Sequence, residues 1–486
     1  MLFALAACLL GASACVQAQE QDDLRRILDQ RGQHQAVERE RELLKDELEA
    51  ERPSISVDGK SYPVGHNVSD VGRALYLSLQ QKQWSRARRF LDEYLALTDR
   101  DPLLVHYAQG ALARNRGDLG QAQREYRALL ALKPDFLPGR LELARVLFED
   151  QQDREAEQLF AAIAASLGDD DARTAGVRRT VATFQSALAN RRRWNGSFAL
   201  GPAWSDNLNR SSAGSTCLLY LGGDCFFSRR TPDPIVASGY DYDANLNKRV
   251  ALRGHHGVYL RTLLFGQGYR DNSAYNELTS ITQAGYSYRS GRHNLMLAPS
   301  FEYYAWGQQA LYGAWGAHAE WSWMLSPKSL LKLEGDWKAM RYRRAGYAAN
   351  YDGVTRSLYA TWFRSLGMRW TVFGGVDVVD SDAAQAAYGY LQKGVRLGGS
   401  LQWPEGFSGT LFASFRQRDY GAYSALLGAR RQDDEQGYTF VLKATRLGFA
   451  GFTPLLTLRR NRIRSNVDWL YSYDKNAVSL KLERLL

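Results

Sequence analysis

Long apolar runs are nearly absent from this chain of 486 residues. Beyond the first residues, no stretch reaches the roughly 18–20 apolar residues that a membrane-spanning helix needs. Catalytic signatures are missing as well: there is no Walker loop, HExxH, GxSxG or Cys/His cluster at zinc spacing. Nucleotide-driven transport and the common hydrolase and metalloenzyme chemistries are thereby excluded. No enzymatic activity, cofactor or metal is expected. The adjacent His255 and His256 sit at a turn, cannot both face one metal, and read as a surface pair. Cysteine is scarce: of four, Cys8 and Cys15 lie at the N-terminus, leaving Cys217 and Cys225. Lys and Arg exceed Asp and Glu by 62 to 52. The basic residues are dispersed rather than gathered in a stripe, so no nucleic-acid partner is expected.

Residues 1–18 read as a secretory signal. MLFALAACLLGASA is apolar, and Val16-Gln17-Ala18 offers a small-residue cleavage site. The basic n-region is missing, which points to a start placed a few residues too far downstream. Leu5-Ala6-Ala7-Cys8 and Ala12-Ser13-Ala14-Cys15 resemble lipidation boxes, so lipidation at Cys15 stays open beside plain cleavage after Ala18. In an exported chain, the closely spaced pair Cys217 and Cys225 is expected to form a disulfide.

A seam near residue 194 divides the rest of the chain. Residues 19–66 are a charged helix and linker. The mixed charge of 20–51 predicts an exposed helix, and Ile55–Val64, with its Asp58-Gly59 turn, reads as a hairpin or strand-like linker. Residues 67–193 carry a helical repeat. Ala87/Leu91, Ala122/Tyr126 and Ala156/Phe160 recur at about 34–35 residues, each a small–large i,i+4 pair of the kind found in tetratricopeptide (TPR) units. Gly110 fills the small position in a first helix. The pattern predicts three TPR-like repeats and a capping helix, and the fixed period favours this over a generic bundle. Tyr76, His106, Tyr107, Arg114 and Arg140 fall on or near first helices and are candidates for a partner-binding groove, unless they only pack between helices.

Residues 194–486 alternate in short strands rich in Tyr, Trp, Gly and Arg. In 331–339, Leu331, Leu333, Gly335, Trp337 and Ala339 share one face, and Lys332, Glu334, Asp336 and Lys338 the other. A transmembrane barrel places the apolar face in lipid and the charged face in a wet lumen. Short turns at Gly254, Gly291, Pro327, Gly367, Glu405-Gly406 and Gly451 alternate with longer polar connections near 207–238, 270–275, 306–312, 344–351, 381–388, 420–436 and 465–472. Together they connect fourteen strands, an even number that leaves both barrel ends on one side. The expected architecture is an N-terminal α-helical TPR-like solenoid followed by a 14-stranded antiparallel outer-membrane β-barrel, with the TPR domain in the periplasm.

Two stretches carry a family resemblance. One is Ile55–Trp84, with Val57-Asp58-Gly59, Tyr62-Pro63-Val64, Val71-Gly72-Arg73-Ala74-Leu75-Tyr76 and Gln83-Trp84. The other is the junction Trp194–Phe198 followed by Ser205-Asp206-Asn207-Leu208-Asn209. Together they resemble the surface lipoprotein assembly modulator (Slam) family. The resemblance implies export of a client protein, a surface lipoprotein or a secreted haemophore-like protein, to the cell surface. Outer-membrane lipid, periplasmic chaperones and the barrel assembly machinery are the further expected partners. A TPR-linked exopolysaccharide export pore is the alternative. It has a similar layout but typically longer helical arrays and a sixteen-stranded barrel. A solute porin is a third reading, in which the repeats would be superfluous.

Overall fold

The computed structural model describes residues 2–45, 64–167 and 174–486, with the backbone alone for 2–20 and 218–220. The linker at 46–63 therefore lies outside the described residues, and the cleavage and lipidation readings at Cys8, Cys15 and Ala18 concern side chains outside them. Helix α1 spans Leu2–Leu43. The repeats then form three helix pairs: α2 (Val68–Gln80) with α3 (Trp84–Ala96), α4 (Pro102–Asn115) with α5 (Leu119–Leu132), and α6 (Leu137–Glu149) with α7 (Asp153–Ser166). A longer helix, α8 (Ala175–Arg192), closes the array.

Local chemistry sets these boundaries. The side chains of Asn67, Asp101 and Asp118 accept from the first-turn amides of Asp70, Leu103 and Gln121, satisfying donors that have no partner within the helix. Pro102 sits in the first turn of α4, where its missing N–H costs nothing. Between α4 and α5 the chain reverses at Gly117, with φ +75°, a conformation that favours glycine. Ala87, Ala122, Tyr126, Ala156 and Phe160 are fully buried and Leu91 nearly so. Gly110 lets two helices approach closely, since a Cβ there would lie 2.8 Å from the Tyr126 ring. Phe160 stacks on Phe184, which ties α8 to the last pair.

Two residues after α8 the barrel begins. Its strands are β1 (Asn195–Ser205), β4 (Ala237–Ala251), β5 (His256–Gly268), β6 (Glu277–Arg289), β7 (His293–Trp306), β8 (Gln309–Ser326), β9 (Ser329–Tyr342), β10 (Gly353–Leu366), β11 (Trp370–Ser381), β12 (Tyr390–Trp403), β13 (Phe407–Ser424), β14 (Ala429–Ala444), β15 (Phe452–Ser465) and β16 (Tyr473–Leu485). All neighbours are antiparallel, and β1 pairs with β4 on one side and β16 on the other, with Leu200 opposite Leu482. This closed fourteen-strand ladder leaves no unpaired edge, the condition for crossing a bilayer with strands. A separate hairpin, β2 (Ser215–Leu221) and β3 (Asp224–Arg230), stands in the β1–β4 connection and is bridged by the Cys217–Cys225 disulfide. Leu333, Trp337, Leu358, Trp362, Val376, Leu397 and Leu411 are exposed on the outer wall.

Two expected long loops are instead largely strand. The connection at 306–312 is a two-residue turn, Gly307-Gln308, with both φ values positive, the geometry that matches strand twist. That at 420–436 shrinks to 425–428, because β13 and β14 stay paired as far as Ser424 and Ala429. Polar residues on strand ends that project into water look like loop, so polarity could not distinguish them. The predicted exposure of the charged helix also fails. Over Gln21 to about Gln35 the segment threads the barrel, with Ile27 and Leu28 buried. Beyond it the helix is largely exposed until Leu44, which is buried against the repeats.

Gly110→Ala should destabilise the repeats by about 1–3 kcal/mol, the usual cost of overpacking a filled core. The expected readout is earlier urea unfolding of the helical signal with unchanged heat-modifiable gel mobility of the barrel.

Candidate functional site

The lumen and the seam beneath the repeats bring together most of the chain's buried charge. Alternation turns Lys332, Glu334, Asp336 and Lys338 of β9 inward. Glu334 accepts from Arg26 at 3.1 Å and Asp336 from Arg25 at 3.1 Å. Lys332 donates to Asp29 at 3.1 Å, while Lys338 reaches Glu302 of β7 at 2.6 Å. Four strands away, Arg416 of β13 donates to Asp23 at 2.9 Å. Arg31 reaches Asp243 of β4 at 3.0 Å, and Gln35 donates to Glu483 of β16 at 3.2 Å. Helix α1 therefore sets its cations against wall carboxylates and its carboxylates against wall cations, with both kinds of pair on β9. Apolar contacts fill the remainder: Ile27 packs with Phe373, Phe412, Val441 and Leu455, and Leu28 with Leu263, Phe265 and Ile281.

Asp29, Glu320 and Glu334 converge closely enough to suggest a cation site. The Lys332 ammonium lies 3.1, 3.4 and 3.4 Å from the three carboxylates in turn, and Arg261 is 3.1 Å from Asp29 and 3.2 Å from Glu320. Side-chain cations already neutralise the trio, so it is an ion-pair cluster. Such clusters gain little net stability from burial, but removing one member strands a charge.

The repeats dock on the barrel end that carries the short turns. Asp150, just past α6, accepts from the Gly291 amide at 3.1 Å and lies 2.9 Å from His255 Nε2. Gln123 and Gln152 donate to the same carboxylate at 2.8 and 3.1 Å. Glu155 accepts from the Gly254 amide at 2.7 Å, and Asp153 from Arg249 at 3.3 Å. Arg191 of α8 joins Asp153 of α7 to Glu40, beyond the lumenal part of α1. Burial alone would raise the Asp150 carboxyl, but His255, the Gly291 amide and Gln152 outweigh it and hold the group below its ordinary value. The contact is therefore present above the usual carboxylate range and lost as pH falls below it.

The candidate groove residues fare differently. Tyr76 is 43% exposed on α2, and its hydroxyl accepts from Gln80. His106 is paired with Glu125 at 2.9 Å. Arg114 bridges α4 to α6 through Glu142 and Glu149. Tyr107 packs edge-on against Tyr126 and Phe136, with burial pushing its hydroxyl pKa up. Arg140 is half-buried on α6. Tyr76 is thus the most open of the five. Sequence reasoning missed the seam residues Asp150, Asp153, Glu155 and Arg191, and His255 is not the surface residue its turn position suggested. Polar groups at helix ends carry no signal for what a distant turn brings to them.

The comparisons with known proteins agree with this layout. Residues 194–485 match the surface lipoprotein assembly modifier family, and residues 60–160 match that family's N-terminal TPR repeats. The chain belongs to the surface lipoprotein assembly modifier family. Among its relatives is the hemophilin secretion modulator of Acinetobacter baumannii, 42% identical over 443 residues, which are 89% of this chain and 88% of that protein. Surface lipoprotein assembly modifier 1 of Haemophilus influenzae is 25% identical over 85% of this chain and 84% of its own length. The Neisseria meningitidis serogroup B protein of the same name is 25% identical over 92% and 88%. The barrel makes this chain an outer-membrane protein.

Asp150→Ala removes one acceptor shared by four donors. A hydrogen bond to a buried charge contributes about 1.5–3 kcal/mol. Hydrogen exchange at the Gly291 amide should therefore quicken by roughly ten- to a hundredfold, with exchange in the middle of β14 unchanged.

Proposed function

We propose that this chain exports a client protein from the periplasm to the cell surface, with the repeats capturing the client and the barrel serving as conduit. The observation that carries the reading is the seam: a helical-repeat unit anchored by Asp150, Asp153 and Glu155 directly on one mouth of a closed barrel. Repeat arrays present extended surfaces to polypeptides, and here that surface lies beside the mouth. On this reading the short-turn end and the repeats are periplasmic, and the β2–β3 hairpin is extracellular. The names of the relatives, a hemophilin secretion modulator and several surface lipoprotein assembly modifiers, favour a secreted haemophore-like protein or a surface lipoprotein as client. Tyr76, with His106 and Arg114 behind it, is the first place to look for client contact. Insertion into the membrane would rest on periplasmic chaperones and the barrel assembly machinery, with outer-membrane lipid around the wall.

Two measurements test this. An epitope at the hairpin tip Gly222-Gly223 should label on intact cells, whereas one near Asp170 should label only after permeabilisation; the reverse pattern would invert the topology. Deleting residues 67–185 should leave the barrel assembled, because its ladder closes without the repeats. Display or secretion of a co-expressed neighbour-encoded protein should then fall at least tenfold. Undiminished export would remove capture from the repeats, and loss of an exopolysaccharide instead would make the cargo a glycan.

A further inference from the structure

A large cavity lies where the repeats, α1 and the barrel wall meet. It measures about 570 Å³ and is lined on its apolar side by Leu28, Val37, Phe148, Phe184, Leu263 and Met296. Six cations border it, Arg41, Arg191, Lys248, Arg249, Arg261 and Arg289. Arg191, Arg249 and Arg261 are paired with Glu40, Asp153, Asp29 and Glu320, whereas the Arg289 Nε has no hydrogen-bond partner. Its polar lining is also unfinished. Among the described residues, Asn245 Oδ1, Tyr259 Oη, Asn195 Oδ1, Asn294 Oδ1 and Arg289 Nε are buried without a hydrogen-bond partner. Asn245 is 4% and Tyr259 7% exposed. Buried groups of this kind need a hydrogen-bond partner, and in a cavity of this size water or a bound chain can supply it.

We propose that this cavity receives an extended segment of the client, and that the segment moves on by displacing α1 from the lumen. The proposal rests on the export reading above and names the site at which it begins. A polypeptide backbone supplies both N–H donors and C=O acceptors, matching a wall that offers four oxygens and one N–H. The apolar lining takes aliphatic or aromatic side chains, and Arg289, with its Nε unpartnered, favours a segment carrying Asp or Glu. The route onward is occupied. Helix α1 fills the bore, with Leu28 fully buried, and Asp29, Arg31 and Glu40 tie it to Lys332, Asp243 and Arg191. An acidic segment entering beside Arg261 and Arg191 competes for cations that now hold Asp29 and Glu40. Intake and unplugging are therefore the same exchange of ion pairs, and Arg191 lets the repeats take part in it.

Two full-chain variants test the proposal. A Cβ on Gly32 would lie 3.2 Å from Asn245 Oδ1, so G32C/N245C places two thiols close enough to lock α1 onto β4. Once oxidation is verified by gel shift, export of the neighbour-encoded client should fall at least tenfold and return on reduction. Wild type treated alike controls for the native disulfide. A locked chain that exports at the wild-type rate overturns the displacement of α1. The second variant needs no client. Purified full chain in micelles is titrated with a short fluorescein-labelled peptide of alternating Glu and Phe. Arg289→Glu should weaken binding at least tenfold, and Arg369→Glu, on a distant turn, should leave it unchanged. Equal binding by all three proteins overturns the intake site. If wild type exports no neighbour-encoded protein while Arg289→Glu still abolishes peptide binding, the export reading falls and the binding site stands.

Discussion

Closure of β1 onto β16 is the contact on which the rest of this molecule depends. Inside a bilayer no water is available for an unpaired N–H or C=O, so a spanning sheet must have no edge. The β1–β16 pairing, from Ser197 opposite Leu485 to Ser205 opposite Ala477, removes the last one. It also fixes the geometry of everything attached. With an even number of strands both chain ends emerge at one mouth. The helix that precedes β1 by two residues then has only one end of the barrel on which to lie.

Closure creates a second problem, which α1 solves. Fourteen alternating strands send half their side chains inward, and many of these are charged. Some pair across the wall, as Arg396 does with Asp377 at 3.0 Å and Lys481 with Asp241 at 2.9 Å. Others, such as Glu334, Asp336 and Arg416, add Arg26, Arg25 and Asp23 of the helix to the wall partners Lys332, His318 and Asp377. Because a buried ion pair brings little net stability while a half-pair is costly, the helix is held by many exchangeable contacts. That suits a plug which another charged chain can replace better than a fixed core element.

The repeats and the wall were both legible because each repeats a simple period. A small–large pair every 34–35 residues places Ala87, Ala122 and Ala156 at the same point of successive helix pairs, where all three are buried. Strict alternation over 331–339 places Trp337 outside and Lys332 inside without knowledge of any neighbour. The charged helix was misread for an equally physical reason. Mixed charge on a helix is the signature of solvent exposure when the surroundings are water, yet the same residues are satisfied inside a charged lumen. Nothing local in Asp22–Arg31 distinguishes the two settings.

Sequence alone determined the helical repeats, the seam near residue 194, the fourteen barrel strands and the two faces of 331–339, because periodicity and turn chemistry are written over short distances. Only the tertiary structure decided where the charges meet. Arg25 finds Asp336 and Asp150 finds His255 across separations of 311 and 105 residues. Such pairings follow from barrel closure and from the docking of the repeats on its mouth. Coulomb attraction acts through space between groups that the folded chain brings together, and no residue carries a local record of its distant partner.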